Sequence, residues 1–397
     1  MTQRIRNVAT YIIPLLMCVC VLGMTRWALL QEHQLLEQSS NKGVSGEEIP
    51  STLRRRLQLQ LAAKNRGSIL DRTGYILAST SNGIRQYADE YSSHVVGYVS
   101  HNGIGQVGLE ATQEQQLLGS QKWQNDWLEL INQPTYGQDI QLTINHRLQA
   151  EIATTLNGRA GAAVVINAND GAVYGIISSP TYDTNQFLND PTYSPTLQDD
   201  QSQFNRAVEG LYTPGSTWKT ISLIAALDSG LLSADHLFEF GEPHYDEEGL
   251  YYTCTFEDKS IIDRNHTEAQ LTLADAFALS ANCAFAEIGA SLAPETLTHY
   301  AKQFGFSTEE AIPFELLAPS GLLAHDLTLL ESEFQRAQTA FGQGQLLASP
   351  LHMALVAASV ANGGHLPAPH LVQATHSNRN IFADIHSNHY WRRKVMN

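Results

Sequence analysis

Two apolar runs on either side of a turn constrain this chain most. AGAAVVINANDGAVYGIISSP, Ala160 to Pro180, sets small and β-branched residues around Asn-Asp-Gly. An Asp-Gly pair between strands supplies the positive φ that a tight connection needs. The segment predicts an antiparallel hairpin. A hairpin this apolar must be covered by something else in the chain.

The cover is legible in the neighbouring periodicities. Upstream, GQDIQLTINHRLQAEIATTL passes from alternating apolar residues to a helical pattern. Residues 181 to 210 read as a polar loop. Downstream, helices are predicted over Ser216 to Leu232, over Leu273 to Leu292, and between Ser349-Pro350 and Asn362-Gly363-Gly364. Proline in the first turn and glycine past the end are the expected punctuation. The class is α+β, a helical cluster on an antiparallel sheet.

The N-terminal third has a different character. VATYIIPLLMCVCVLGM, Val8 to Met24, carries no charge and is flanked by Arg4, Arg6 and Arg26. With its neighbours it approaches the ~20 residues that cross a bilayer. It exceeds a signal-peptide core, and no A-x-A site follows. The expected topology is a short cytoplasmic tip over 1–7 and an uncleaved anchor over 8–26, with everything beyond lying outside the cytoplasm. RGSILDRTGYILAST (Arg66 to Thr80) and HVVGYVSHNGIGQVGLE (His94 to Glu110) read as short strands and turns. They predict a small β-rich module within 27–136, ahead of a main domain over 137–374 and a tail over 375–397.

Composition excludes several functions. A net charge of −16 argues against nucleic-acid binding. No C-x-x-C or H-E-x-x-H spacing occurs, and the five histidines from His365 to His389 follow no fixed ligand spacing. Neither a metal nor a cofactor is expected. Cys18 and Cys20 read as apolar filler of the anchor. An oxidising compartment would permit a Cys254–Cys283 disulfide without requiring one.

The chemistry centres on LYTPGSTWKT, 211 to 220. Ser216 and Lys219 stand at i and i+3, on one face of a helix. A serine hydroxyl needs a base, and a lysine desolvated among Trp218, Ile221 and Leu223 has its pKa pushed down far enough to serve. Ser280-Ala281-Asn282 is a second polar patch inside LTLADAFALSANCAFAEIG, and buried polar groups of this kind must find partners.

Together these residues resemble the S-x-x-K and S-x-N boxes of the penicillin-binding serine acyl-transferases. RGSILDRTGYILA, VGYVSHNGIGQVGLE, NRAVEGLYTPGSTWKT and FGQGQLLASPLHMALVAASVANGGHLPAPHLV resemble, in order, segments of the class B penicillin-binding proteins, in the form with a compact N-terminal pedestal. The resemblance implies a membrane-anchored, extracytoplasmic D,D-transpeptidase that cross-links peptidoglycan and is acylated by β-lactams. It implies Ser216 as nucleophile towards D-Ala-D-Ala stem peptides, Lys219 as base, Ser280 as proton relay and Asn282 as holder of the acyl-donor amide. A membrane glycan polymerase is the implied partner. The third family box, Lys-Thr-Gly or its Ser and His forms, is absent, and the only lysines after Asn282 are Lys302 and Lys394. The chain is therefore expected to be truncated before that box, leaving the 162–178 hairpin with an open edge. A non-catalytic scaffold is the alternative; a serine β-lactamase or D,D-carboxypeptidase fits the anchor and pedestal less well.

Overall fold

The computed structural model describes residues 65–100, 103–119, 136–190, 201–377 and 393–395. The expected anchor over 8–26 lies outside these residues. Among the described residues no helix is long and apolar enough to cross a membrane.

The described residues open with β1 (Ile69–Leu70), β2 (Ile76–Ser81) and β3 (Ile84–Tyr87), as the Asp-Arg-Thr-Gly turn predicts. Asp71 makes that turn by accepting hydrogen bonds from the Thr73 and Tyr75 amides. There follow α1 (Ser93–Val96), β4 (Tyr98–Val99), β5 (Gly105–Val107), α2 (Gly108–Thr112) and α3 (Glu114–Leu118). The glycine-punctuated stretch expected as strands thus carries short helices as well. Its centre is ionic. Glu110, fully buried, accepts from Arg66 Nε and Arg85 Nε, each at 2.6 Å. Removing one partner of such a group would leave a buried charge unpaired, at a cost of about 3–5 kcal/mol.

Next come β6 (Gln138–Leu142) and α4 (His146–Leu156), the latter capped by the Asn145 side chain. β6 pairs in parallel with β1, and β15 (Val372–Ser377) pairs antiparallel with β6. The resulting five-stranded sheet has the order β15-β6-β1-β2-β3. It joins the N-terminal strands to β15, far along the chain at Val372–Ser377, and its β1–β6 pair departs from the all-antiparallel expectation.

The predicted hairpin forms as β7 (Gly161–Ile166) and β8 (Val173–Ser179), antiparallel. Among the described residues β7 pairs with β8 alone. The polar stretch after it contains α5 (Thr184–Asn189), started by the Asp183 side chain on the Asn185 and Gln186 amides; loop composition concealed this helix.

A 3-10 turn (Gly215–Trp218) leads directly into α6 (Lys219–Asp228), shorter than the helix expected to Leu232. β9 (Leu237–Glu239), β10 (His244–Asp246), β11 (Gly249–Phe256), β12 (Lys259–Asp263) and β13 (Gln270–Thr272) follow. The helix expected over Leu273 to Leu292 is two helices, α7 (Leu273–Ala278) and α8 (Asn282–Ser291). Ser280 breaks it, with φ of +58°. Then come α9 (Pro294–Gln303), α10 (Glu333–Ala340) and α11 (Pro350–Ala361). α11 is punctuated as predicted, with Ser349 capping the His352 amide and Asn362 ending it. β14 (His365–Leu366) pairs with β16 (Arg393–Lys394), which seats Val395 in the core.

The helices share one apolar core around Trp218, Phe285, Phe304 and Phe306, all fully buried. Trp218 meets Phe306 edge-to-face at 4.6 Å. The residue just before Lys219 in sequence is thus an anchor of the core, and it fixes the turn.

Candidate active site

The site is built where the 3-10 turn meets the break between α7 and α8. In a 3-10 turn residues i and i+3 eclipse, so Ser216 and Lys219 share a face more closely than on an α-helix. Ser216 is exposed, whereas Lys219 is 1% exposed. Lys219 Nζ donates to Ser280 O (2.5 Å), Ser280 Oγ (2.9 Å) and Asn282 Oδ1 (2.8 Å). Three acceptors match the three N–H bonds of an ammonium. The structure therefore brings Lys219, Ser280 and Asn282 into one cluster. Ser216, three residues earlier, accepts the Lys219 backbone amide at its carbonyl, and among the described residues no side-chain hydrogen bond joins the two.

Burial pushes the Lys219 amine down to about 8, against the opposing charge of Asp263. At pH 7 about one such amine in ten is neutral, compared with about one in three thousand for a free lysine. A neutral amine keeps two N–H donors and gains a lone pair. It can then release one of its three partners and accept the Ser216 proton.

The turn is held from outside by the segment FGQGQLLAS. Tyr212 and Ala348 exchange backbone hydrogen bonds at 2.9 and 2.8 Å, and the Gly215 amide donates to Gly342 O at 3.0 Å. A Cβ at Gly342 would lie 1.7 Å from Gly215 O, and its φ is +88°. Only glycine fits there.

Three further groups secure the α7–α8 break. Asn265 Nδ2 donates to Ser280 O at 2.6 Å. Asp263, fully buried, accepts the Cys283 amide at 2.7 Å in the first turn of α8. Cys283 is also joined by a disulfide to Cys254 of β11, with Cα atoms 5.7 Å apart. Sequence reasoning missed Asp263, Asn265 and Gly342. The signals were present: an aspartate closing the apolar run Ile261-Ile262, and a Gly-Gln-Gly between two apolar segments. A separate cleft, lined by Thr112, Gln113, the 311–318 loop and residues 368–370, contains none of these groups.

Comparison with known proteins gives the family and the fold. Residues 161–397 match the family model of the penicillin binding protein transpeptidase domain. Penicillin-binding protein 3 of Bacillus subtilis is 28% identical over 311 residues, covering 76% of this chain and 44% of that protein. Peptidoglycan D,D-transpeptidase MrdA of Acinetobacter baumannii is 27% identical over 323 residues, covering 72% and 46%. The chain thus spans about half the length of the curated relatives it matches. Among solved structures, the D,D-transpeptidase domain of a peptidoglycan glycosyltransferase from Eggerthella lenta superposes with a TM-score of 0.69 at 28% identity, over 83% of this chain and 77% of that one. Penicillin-binding protein A of M. tuberculosis, solved as a ceftriaxone acyl-enzyme, gives 0.70 at 23% identity, over 85% and 78%, a likeness of fold alone.

The chain belongs to the penicillin-binding protein transpeptidase domain family. Its fold is that of the penicillin-binding transpeptidases.

Proposed function

We propose that the chain performs serine acyl transfer on peptidoglycan stem peptides, as a D,D-transpeptidase, and that β-lactams acylate the same serine. The observation that carries this reading is the almost fully buried Lys219, held by Ser280 and Asn282 one 3-10 turn from an exposed Ser216. Ser216 Oγ attacks the carbonyl between the two D-alanines while Lys219 takes its proton. The C–N bond breaks, and Ser280 passes a proton to the departing D-alanine amine. Asn282 orients the donor amide. The ester then passes to an amine of a second stem peptide, which releases Ser216 and returns its proton. Every step is proton and acyl movement among these side chains.

The anchor over 8–26, the pedestal within 27–136, a transpeptidase domain over 137–374 and a membrane glycan polymerase as partner belong to the same reading. The Cys254–Cys283 disulfide supports an extracytoplasmic location.

A second reading, a non-catalytic scaffold, is favoured by two observations. These 397 residues contain no Lys-Thr-Gly box or Ser or His form of it, and β7 pairs with β8 alone among the described residues. In the family the strand bearing that box supplies an oxyanion donor, and one such donor is worth about 10²–10³ in rate. The experiment is D-alanine release from a D-Ala-D-Ala stem peptide with an amine acceptor. It compares these 397 residues with the same chain extended by a third-box strand from a relative. Release by both, faster in the extended chain and absent in Ser216→Ala, is the expected result. No release by either contradicts the enzyme reading, and release by the extended chain alone assigns the scaffold reading to these residues by themselves.

A further inference from the structure

The break between α7 and α8 is organised from behind by a carboxylate that touches neither Ser216 nor the lysine amine. Asp263 ends β12, fully buried, opposite Tyr252 in the β11–β12 ladder. Its Oδ2 accepts the Cys283 amide at 2.7 Å, and its Oδ1 accepts the Asn265 amide at 3.1 Å. Asn265, so placed, reaches Ser280 O, the same oxygen that Lys219 Nζ contacts at 2.5 Å. One side chain therefore ties the first turn of α8, and the backbone of the break, to the lysine cluster.

We propose that Asp263 is a positioning residue for acylation at Ser216: it holds Ser280 and Asn282 against Lys219 and sets its carboxylate behind that cluster. The proposal rests on the acyl-transfer reading above and adds a residue to it.

The surroundings leave Asp263 as the charge that acts on the lysine. Arg264, next in sequence, turns outward to Asp246 and Glu248. His266 Nε2 lies 3.5 Å from Asp263 Oδ2, with its ring stacked on Tyr252. On α6, Asp228 is engaged by the Tyr300 hydroxyl of α9. On α8, Glu287 is exposed. On α10, the Arg336 guanidinium is spent on the Leu330, Glu331 and Ala290 carbonyls. β11 contributes Cys254, already in the disulfide. The pKa direction agrees: Asp263 is the one charge that offsets burial at Lys219.

The test uses the full chain as wild type, Asp263→Asn, Asp263→Ser and Asn265→Ala. Both replacements at 263 keep an oxygen for the Cys283 amide, as at a helix N-terminus, and remove the charge. Two quantities are measured against pH: the rate of acylation by a fluorescent penicillin, and the 13Cε shift of Lys219, assigned by its loss in Lys219→Ala. In both Asp263 variants the Lys219 midpoint should move to lower pH. The acid limb of acylation should move with it, and the plateau rate should fall. Asn265→Ala should lower the plateau and leave the midpoint unmoved.

A purely structural role would lower the rate equally at every pH with the midpoint unchanged in both variants, and that result overturns the proposal. If Asp263→Asn does not fold, Asp263→Ser decides by the same criterion. If wild type is not acylated, the acyl-transfer reading is what fails. The NMR midpoint then still decides whether Asp263 acts on the lysine.

Discussion

Lys219 is costly to fold and useful once folded, for one physical reason. Burial disfavours its ammonium, and the three oxygens around Nζ compensate without neutralising it. The resulting pKa of about 8 sets a testable profile. Acylation by a β-lactam should rise with pH through a midpoint near about 8, because only the neutral amine can take the Ser216 proton. Lys219→Ala should lower the rate by about 10²–10⁴, the range of a lost general base, and abolish that rise. Alanine suits the start of α6, so the variant should remain folded. A folded Lys219→Ala that keeps the wild-type rate and profile would show that the proton goes elsewhere. The lysine was legible in the sequence because its neighbours Trp218 and Ile221 are apolar. Asp263 was not, because its partner Cys283 lies 20 residues away and only the folded chain pairs them.

At the scale of elements, what could be read and what could not divide along local and distant causes. The β7–β8 hairpin and the caps of α11 follow from residues within a few positions of each other, and both form as predicted. LTLADAFALSANCAFAEIG, by contrast, reads as one helix by composition. It breaks at Ser280 because Lys219 and Asn265 bind its carbonyl while Asp263 caps the next turn. The 3-10 turn under Ser216 has a similar origin. Trp218 is drawn into the core, and Gly342 abuts the Gly215 backbone. Gly342→Ala should therefore displace the turn, cutting acylation by more than about tenfold and lowering the melting temperature. Gly344→Ala is the control. It has a φ of +76° but only ordinary contacts within 4 Å, so it adds backbone strain without a clash. Equal effects of the two substitutions on acylation would remove the packing account of the turn.

For the whole molecule, pH bears on stability as well as chemistry. His94 and His352 are buried, and burial pushes both down to about 4. His352 is neutral by construction of its site, with Nδ1 accepting the Gly321 amide and Nε2 facing Phe304 O. The unfolded chain takes up these protons below about 6.5 and the folded chain only near 4. Stability should thus fall as pH drops from about 6.5 to about 4, by on the order of 3 kcal/mol per histidine. His352→Gln should be less stable at pH 7 yet lose less between pH 7 and 4.5, as followed by urea melts; an unchanged acid loss would assign it to other groups. Above this sits the central claim, that the folded chain gathers Ser216, Lys219, Ser280 and Asn282 into one acylating site. Intact-mass analysis and peptide mapping after incubation with a penicillin test it most directly. The account predicts a single adduct on Ser216, absent from Ser216→Ala; an adduct on another residue, or one that persists in Ser216→Ala, would contradict it.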